Sequence, residues 1–263
     1  MSFNKKKEIN FKKDLFGREC DYSHYSLKGN EKIIGFLLGF GTAFVSIYIF
    51  FQSIIASLIV GIVLGFLFLP FYQSFLLKKQ REKLLLQFTD LLDSLSNSYS
   101  AGKNTMGAFR DSLNDLIHQH GNQAMIVVEV NIIVLGLENN FTIEELLLNY
   151  SDRCNLDDVK SFVDTFIICN RSGGNLKSVV MESRNILSDK IEIGMEIETA
   201  IIEKKNELNI MLFMPLIVVA MLGTLGSETI TNNTPINLVI KIIAIFIFIL
   251  AYLVGKKITN IKI

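Results

Sequence analysis

The chain has 263 residues, half of them hydrophobic, with three Pro, no Trp and a formal net charge of zero. The charge is unevenly placed: residues 1–32 carry eight basic and five acidic side chains, whereas 78–207 carry 14 basic and 20 acidic, a net of −6. That acidic excess argues against nucleic-acid binding, which needs basic patches to neutralise phosphates; it suits a basic protein partner or a merely solvated surface.

Residues 1–32 form a polar lead with Lys5, Lys6, Lys7, Lys12 and Lys13 near its start. It does not read as a secretory signal, because no short apolar core with a small-residue cleavage pattern follows it. Phe11, Leu15 and Phe16 leave two readings open, a short amphipathic turn on a membrane surface or plain disorder. Cys20, Cys154 and Cys169 are isolated, and no Cys-x-x-Cys occurs. Neither a disulfide framework nor a zinc site is signalled, and reduced cytosolic thiols are the simple account.

Residues 33–77 are 45 positions without one Asp, Glu, Lys or Arg. At about 1.5 Å per residue such a run spans roughly twice a hydrocarbon core of ~30 Å, so it predicts two helices, over 33–51 and 54–72, with a tip at Gln52-Ser53. Gly35/Gly39 and Gly61/Gly65 each have the Gly-x-x-x-Gly spacing that lets two backbones approach closely. Residues 208–227 are another 20 uncharged positions, and 236–255 is apolar apart from Lys241. Four transmembrane helices are therefore expected, in hairpins 33–77 and 208–255. Lys78, Lys79, Arg81 and Lys83 follow the first hairpin, Lys204 and Lys205 precede the second, and Lys256, Lys257 and Lys262 follow it. Neither loop tip, 52–53 or 228–235, holds Lys or Arg. The positive-inside bias then puts both termini (1–32 and 256–263) and 78–207 in the cytosol, as a multi-pass protein of the cell membrane. Lys241 dissents; it snorkels outward or, alternatively, is a functional buried lysine.

The 78–207 segment reads as helices. Leu84, Phe88, Leu91, Leu92, Leu95 and Tyr99 make one apolar face, and Met106, Phe109, Leu113, Leu116 and Ile117 a second. Ala101-Gly102-Lys103-Asn104 is a stop and restart between them, and 118–122 is a further break. Residues 125–137 are rich in Val and Ile, but no partner strand is evident, so a helix is expected there too. Thr142-Ile-Glu-Glu145 is a capping box that opens a fourth helix. Residues 156–171 predict a fifth, with Val159, Phe162, Val163, Phe166 and Ile167 inward. Then comes the stretch around which the chain is organised. Ser172-Gly173-Gly174 can stop a helix, and Asn175 can cap the next. From Leu176 no proline occurs until Pro215, and an apolar stripe (Leu176, Val179, Val180, a break at Ser183, Ile186, Leu187, then Ile193, Ile197, Ala200, Ile201) continues toward the next apolar run. The three restarts at 102, 139 and 174 form a faint repeat that the shared rules of helix capping can explain.

Chemistry is sparse. His118-x-His120 is not the i, i+4 pair that presents two ligands on one helical face, and no phosphate-binding Gly-x-x-x-x-Gly-Lys-Ser/Thr occurs. No catalytic, metal or cofactor residue is assigned, and a non-enzymatic membrane protein is expected. Glu192, Glu196, Glu198 and Glu203 are a solvated face or a partner surface.

Several motifs now converge: Gln87-Phe-Thr-Asp-Leu-Leu-Asp-Ser-Leu-Ser-Asn-Ser-Tyr-Ser-Ala-Gly-Lys103 with Ala108-Phe109; Cys169-Asn-Arg-Ser-Gly-Gly-Asn-Leu176; Ser188-Asp-Lys-Ile-Glu-Ile193; Glu196-Ile-Glu-Thr-Ala200 with Lys204-Lys205; Met214-Pro215; and Asp21-Tyr22 ahead of the first hairpin. Together they span about 21–226, and the chain resembles the type II secretion F-domain family. Within it, the likeness is to the tight-adherence (Flp pilus), TadB-like inner-membrane platform proteins. The resemblance implies an all-α fold with four transmembrane helices and a cytosolic six-helix bundle over 78–207, a single F domain. The residues it marks are Ala101, Gly102, Lys103, Arg171, Ser172, Gly173, Gly174, Asn175, Lys204, Lys205 and Pro215. It also implies the partners: a cytosolic hexameric assembly ATPase, pilin subunits in the lipid bilayer, and a homo-oligomer or a paralogous platform subunit. The alternative is a polytopic transporter or signalling membrane protein with a regulatory cytosolic helical domain. Against it, Lys241 is the sole ionisable group in the membrane segments, where such groups mark transport or catalysis.

Overall fold

The computed structural model describes residues 29–51 and 53–224, together with Tyr22, Leu27, Val239, Ile243, Phe246, Leu250, Val254 and Gly255. The expectations for Phe11, Leu15 and Phe16, Cys20, the 228–235 tip, Lys241 and the 256–263 tail lie outside these residues. So do those for the side chains of Lys205 and Pro215. The described chain is helical, with no strand among the described residues: α1 (Gly29–Phe51), α2 (Ile54–Ser100), α3 (Thr105–His120), α4 (Met125–Glu138), α5 (Ile143–Cys154), α6 (Asp157–Ser172) and α7 (Leu176–Thr224).

Two of these helices, over Gly29–Ile49 and Ile54–Ser100, are long and apolar enough to cross a membrane. Their most apolar windows are only 11% and 17% buried, the reverse of what a core helix of a globular protein shows. The helix expected over 54–72 does not end there. It continues through Pro70 to Ser100 as one element. Pro70 removes one backbone donor and places its ring against the turn before it, yet the flanking turns remain helical.

The chain divides into two compact units, one comprising 1–25 with 75–191 and the other 26–74 with 192–263. In the first unit, α2 presents Leu84, Phe88, Leu91, Leu92 and Leu95, all buried, with Tyr99 partly buried beside them. From α3 come Phe109 and Leu116, and from α6 Val159, Phe162, Val163, Phe166 and Ile167. These are the faces that helical periodicity marked. Each fully buried Leu or Phe contributes roughly 1.5–3 kcal/mol of transfer free energy. On α7 the stripe is realised at Val180 and Leu187, but Ile186 and Ile193 point outward. The Val/Ile-rich 125–137 run is helix α4, as expected, because its Ile126, Val130, Ile133 and Val134 are needed on one buried face.

Direction alternates along this unit. His120 reaches Asp90, Arg110 reaches Glu138, Glu144 reaches Arg171, Asp158 reaches Lys190, and Arg184 returns to Asp93. The turns after α2, α4 and α6 therefore share one end of the unit.

In the second unit, α1 and the first part of α2 pack through small residues. Among the described residues between 29 and 74, those buried are Gly35, Gly39, Ser57, Gly61 and Gly65. A methyl group at Gly39 would lie 2.7 Å from the Cβ of Phe68, so no larger residue fits without moving the helices. The Gly-x-x-x-Gly pairs are thus real contact sites, each glycine seating an aromatic ring of the facing helix.

Candidate functional site

The residues marked from sequence concentrate at the turn end of the first unit. Three turns there have the same construction. Gly102 (φ +77°), Asn140 (φ +62°) and Gly173 (φ +68°) each occupy the left-handed region just past a helix. In each, the amide of the next residue bonds back five positions: Lys103 to Ser98, Phe141 to Gly136 and Gly174 to Cys169. The left-handed residue itself bonds back three, to Tyr99, Leu137 and Asn170. This is the Schellman arrangement, which satisfies carbonyls that the helix end leaves without donors. Two residues on, each turn places a side-chain cap. Asn104 Oδ1 accepts from Gly107, Thr142 Oγ1 from Glu145, and Asn175 Oδ1 from Ser178. Thr142 and Glu145 complete the reciprocal capping box. The faint repeat is therefore one stop-and-restart device used three times.

Charge ties these turns together. Lys103 pairs with Asp111. Arg110 Nη2 lies 2.6 Å from Glu138 Oε1, and Arg171 donates through Nε (2.9 Å) and Nη2 (2.7 Å) to Glu144 Oε2. The Arg171 bonds hold the Glu144 carboxyl below its ordinary range, with Asn170 adding to the effect against partial desolvation. Ser172 turns its hydroxyl back to the Cys169 carbonyl, and Ala101 is exposed. Gly174 sits tightly over the Cys169 sulfur. These residues are accounted for as turn and pair chemistry, with Lys103 and Arg171 still partly exposed.

Glu192, Glu196, Glu198 and Glu203 belong to the second unit and are all exposed on α7. At 100° per residue, Glu192, Glu196 and Glu203 share one face, and Glu198 stands apart. Lys204 pairs with Glu207 on the same helix at 3.2 Å.

Sequence reasoning missed a buried ionic centre. Glu129 on α4 and Arg153 on α5 are 0% and 1% exposed. Arg153 Nη1 and Nη2 donate to the two carboxylate oxygens at 2.6 and 2.5 Å, and its Nε donates to Asn149 Oδ1 at 2.8 Å. Tyr22 adds its hydroxyl to Glu129 Oε1 at 2.9 Å. One signal was available: Glu129 is the lone charge in the apolar 125–137 run. Nearby, burial raises the Cys154 thiol to about 11 and pushes the Tyr150 phenol well above its ordinary value. Cys154 is thus a packed thiol and not a nucleophile at neutral pH. Among the described residues, no group of three or more His, Cys, Asp or Glu is placed to hold a metal ion. His120 is engaged with Asp90 at 2.8 Å.

Comparison with protein-family models, with curated proteins and with solved structures returns no significant match for this chain.

Proposed function

We propose that the chain is a membrane platform protein of a type IV or Flp-type pilus assembly machine, or of a type II secretion machine. Four helices cross the cell membrane in hairpins 33–77 and 208–255, both termini are cytosolic, and 78–207 is a cytosolic six-helix bundle. A cytosolic hexameric assembly ATPase engages the bundle, and the displacement passes to pilin subunits drawn from the bilayer. A second copy, or a paralogous platform subunit, completes the assembly. The protein carries no catalytic site or cofactor of its own; its work is mechanical coupling.

The observation that supports this reading most is the unbroken course of α7 from Leu176 to Thr224. It begins at a Schellman stop with an asparagine cap, carries Glu192, Glu196, Glu198 and Glu203 through its middle, and enters the uncharged run that contains Pro215. A proline at Glu196 would cost about 3 kcal/mol or more in a helix interior and kink it. Glu196→Pro is expected to insert, to retain ATPase binding in part, and to stop pilus assembly. Glu196→Ala should assemble nearly normally, since an exposed charge contributes only about 0–1 kcal/mol. Surface pilin, protein level and ATPase pull-down are measured in parallel. A stable proline variant that still builds pili refutes the coupling role, and an alanine variant that fails equally makes Glu196 a contact residue.

A further inference from the structure

Most large apolar side chains of the first unit point inward, and two that do not stand side by side. Ile168 on α6 is 70% exposed and Leu148 on α5 is 44% exposed. Each is the one exposed apolar residue of its helix; the other exposed positions described on α5 and α6 are polar or charged. Ile168 does not serve the core. At 100° per residue it stands opposite the middle of the buried face formed by Val159, Phe162, Val163, Phe166 and Ile167.

Register brings the two together. Arg171, at the end of α6, holds Glu144, at the start of α5, through Nε at 2.9 Å and Nη2 at 2.7 Å. The helices are therefore antiparallel neighbours. Leu148 lies one turn past Glu144, and Ile168 lies about one turn before Arg171. The two aliphatic side chains thus sit abreast on the outer wall of the α5–α6 pair, beside that ion pair.

The charge around them has one sign. Glu145 and Asp152 lie three residues before and four after Leu148, Asp164 lies four before Ile168, and all are exposed. Glu144–Arg171, Asp158–Lys190 and the buried Glu129–Arg153 are neutral pairs. What remains on α5 and α6 is Glu145, Asp152, Asp157 and Asp164 against Lys160, a net of −3. Residues 75–124, in contrast, carry six basic and five acidic side chains. The acidic excess of 75–191, 15 acidic to 12 basic, is concentrated on this wall.

An apolar centre inside a charged rim is the layout of a contact surface. The sign of the rim selects the occupant. A second copy meeting the same face would set acid against acid, and like charges across an interface are costly. An anionic membrane surface is repelled for the same reason. A basic segment with apolar anchors complements both the centre and the rim.

We propose that the outer wall of α5 and α6 is a docking surface for a separate protein that presents a basic amphipathic segment. Its apolar side chains seat on Leu148 and Ile168, and its Lys or Arg residues face Glu145, Asp152 and Asp164. The surface stands independently of the platform reading.

Photocrosslinking followed by affinity measurement tests it on the full-length chain. A photoreactive phenylalanine analogue is placed at Thr165, exposed beside Ile168, so that both anchors stay intact. The experiment is run in cells that produce the chain natively, and the crosslinked peptide is sequenced. The expected product is a different protein, joined through a segment of net positive charge with apolar residues at helical spacing. That protein is then purified, and its affinity is measured for the chain in nanodiscs of zwitterionic lipid. Ile168→Asp should weaken binding at least about tenfold, the loss of a central apolar anchor. Asp164→Lys should weaken it as well, and Asn97→Ala on the exposed side of α2 should leave it unchanged. Thermal unfolding should be the same for all three variants, because none of these side chains is buried. Four results would overturn the proposal: no crosslinked protein, a crosslink to lipid or to a second copy of this chain, a crosslinked segment without basic residues, or a partner that binds Ile168→Asp as tightly as the wild type.

Discussion

The two units solve the packing problem in opposite ways. In the first, leucine and phenylalanine point inward, and lysine, glutamate and aspartate cover the outside. In the α1–α2 hairpin, glycine and serine are inside, and Ile55, Phe66 and Leu67 are 74%, 62% and 65% exposed. The difference teaches what drives each. Water supplies the force that collects large side chains in the first unit. In an apolar solvent no such force exists, and close backbone approach through small residues takes its place. The ring stack of Phe36, Phe40, Phe44 and Tyr48 along α1, with successive centroids 6.1, 5.7 and 6.2 Å apart, belongs to the second regime.

The sharpest way to break the comparison is at Glu129 and Arg153, the one place among the described residues where the first unit buries charge. Arg153→Ala strands Glu129 without its guanidinium and should lower stability by about 3–5 kcal/mol. Replacing both Glu129 and Arg153 by leucine should recover most of that loss, because no charge remains to be desolvated. Denaturant unfolding of the three chains in the same micelles measures it. A double variant as unstable as the single would mean that the pair stabilises the fold in its own right.

The hairpin should respond to the opposite kind of change. Gly39→Leu drives a side chain into the Phe68 Cβ and should destabilise the hairpin by about 1–3 kcal/mol. Ile55→Ala, on its exposed outer face, should change stability in lipid by less than Gly39→Leu does. Thermal unfolding in nanodiscs reads both. If the isoleucine variant is the worse of the two, the apolar face is covered by protein and the inside-out description fails.

The turns yield the smallest effect. Gly173→Ala forces a Cβ into the left-handed region and should cost roughly 1–2 kcal/mol. Asn140→Gly at the equivalent position of the α4–α5 turn should be neutral or slightly stabilising. Opposite signs at Gly173 and Asn140 in thermal denaturation would establish that one device serves both turns; equal signs would separate them.

Local rules carried the sequence reading where one helix or one turn decides the outcome. The apolar faces of α2 and α6 were legible because 3.6-residue periodicity reports directly on a half-buried helix. The caps at Asn104, Thr142 and Asn175 were legible because a short polar side chain at a helix start has one job there. Length and the absence of charge marked the apolar segments without reference to any neighbour. Tertiary structure decided the rest. That Ile186 faces outward while Leu187 is buried depends on which helices flank α7. That Glu129 and Arg153 meet, and that Tyr22 joins them from 107 positions away, depends on α4 and α5 lying side by side. A lone glutamate in an apolar run announces that a partner exists, but spacing along the chain does not say which residue it is. Only the folded chain brings those groups within 3 Å, where the low dielectric of the interior makes the choice of partner matter.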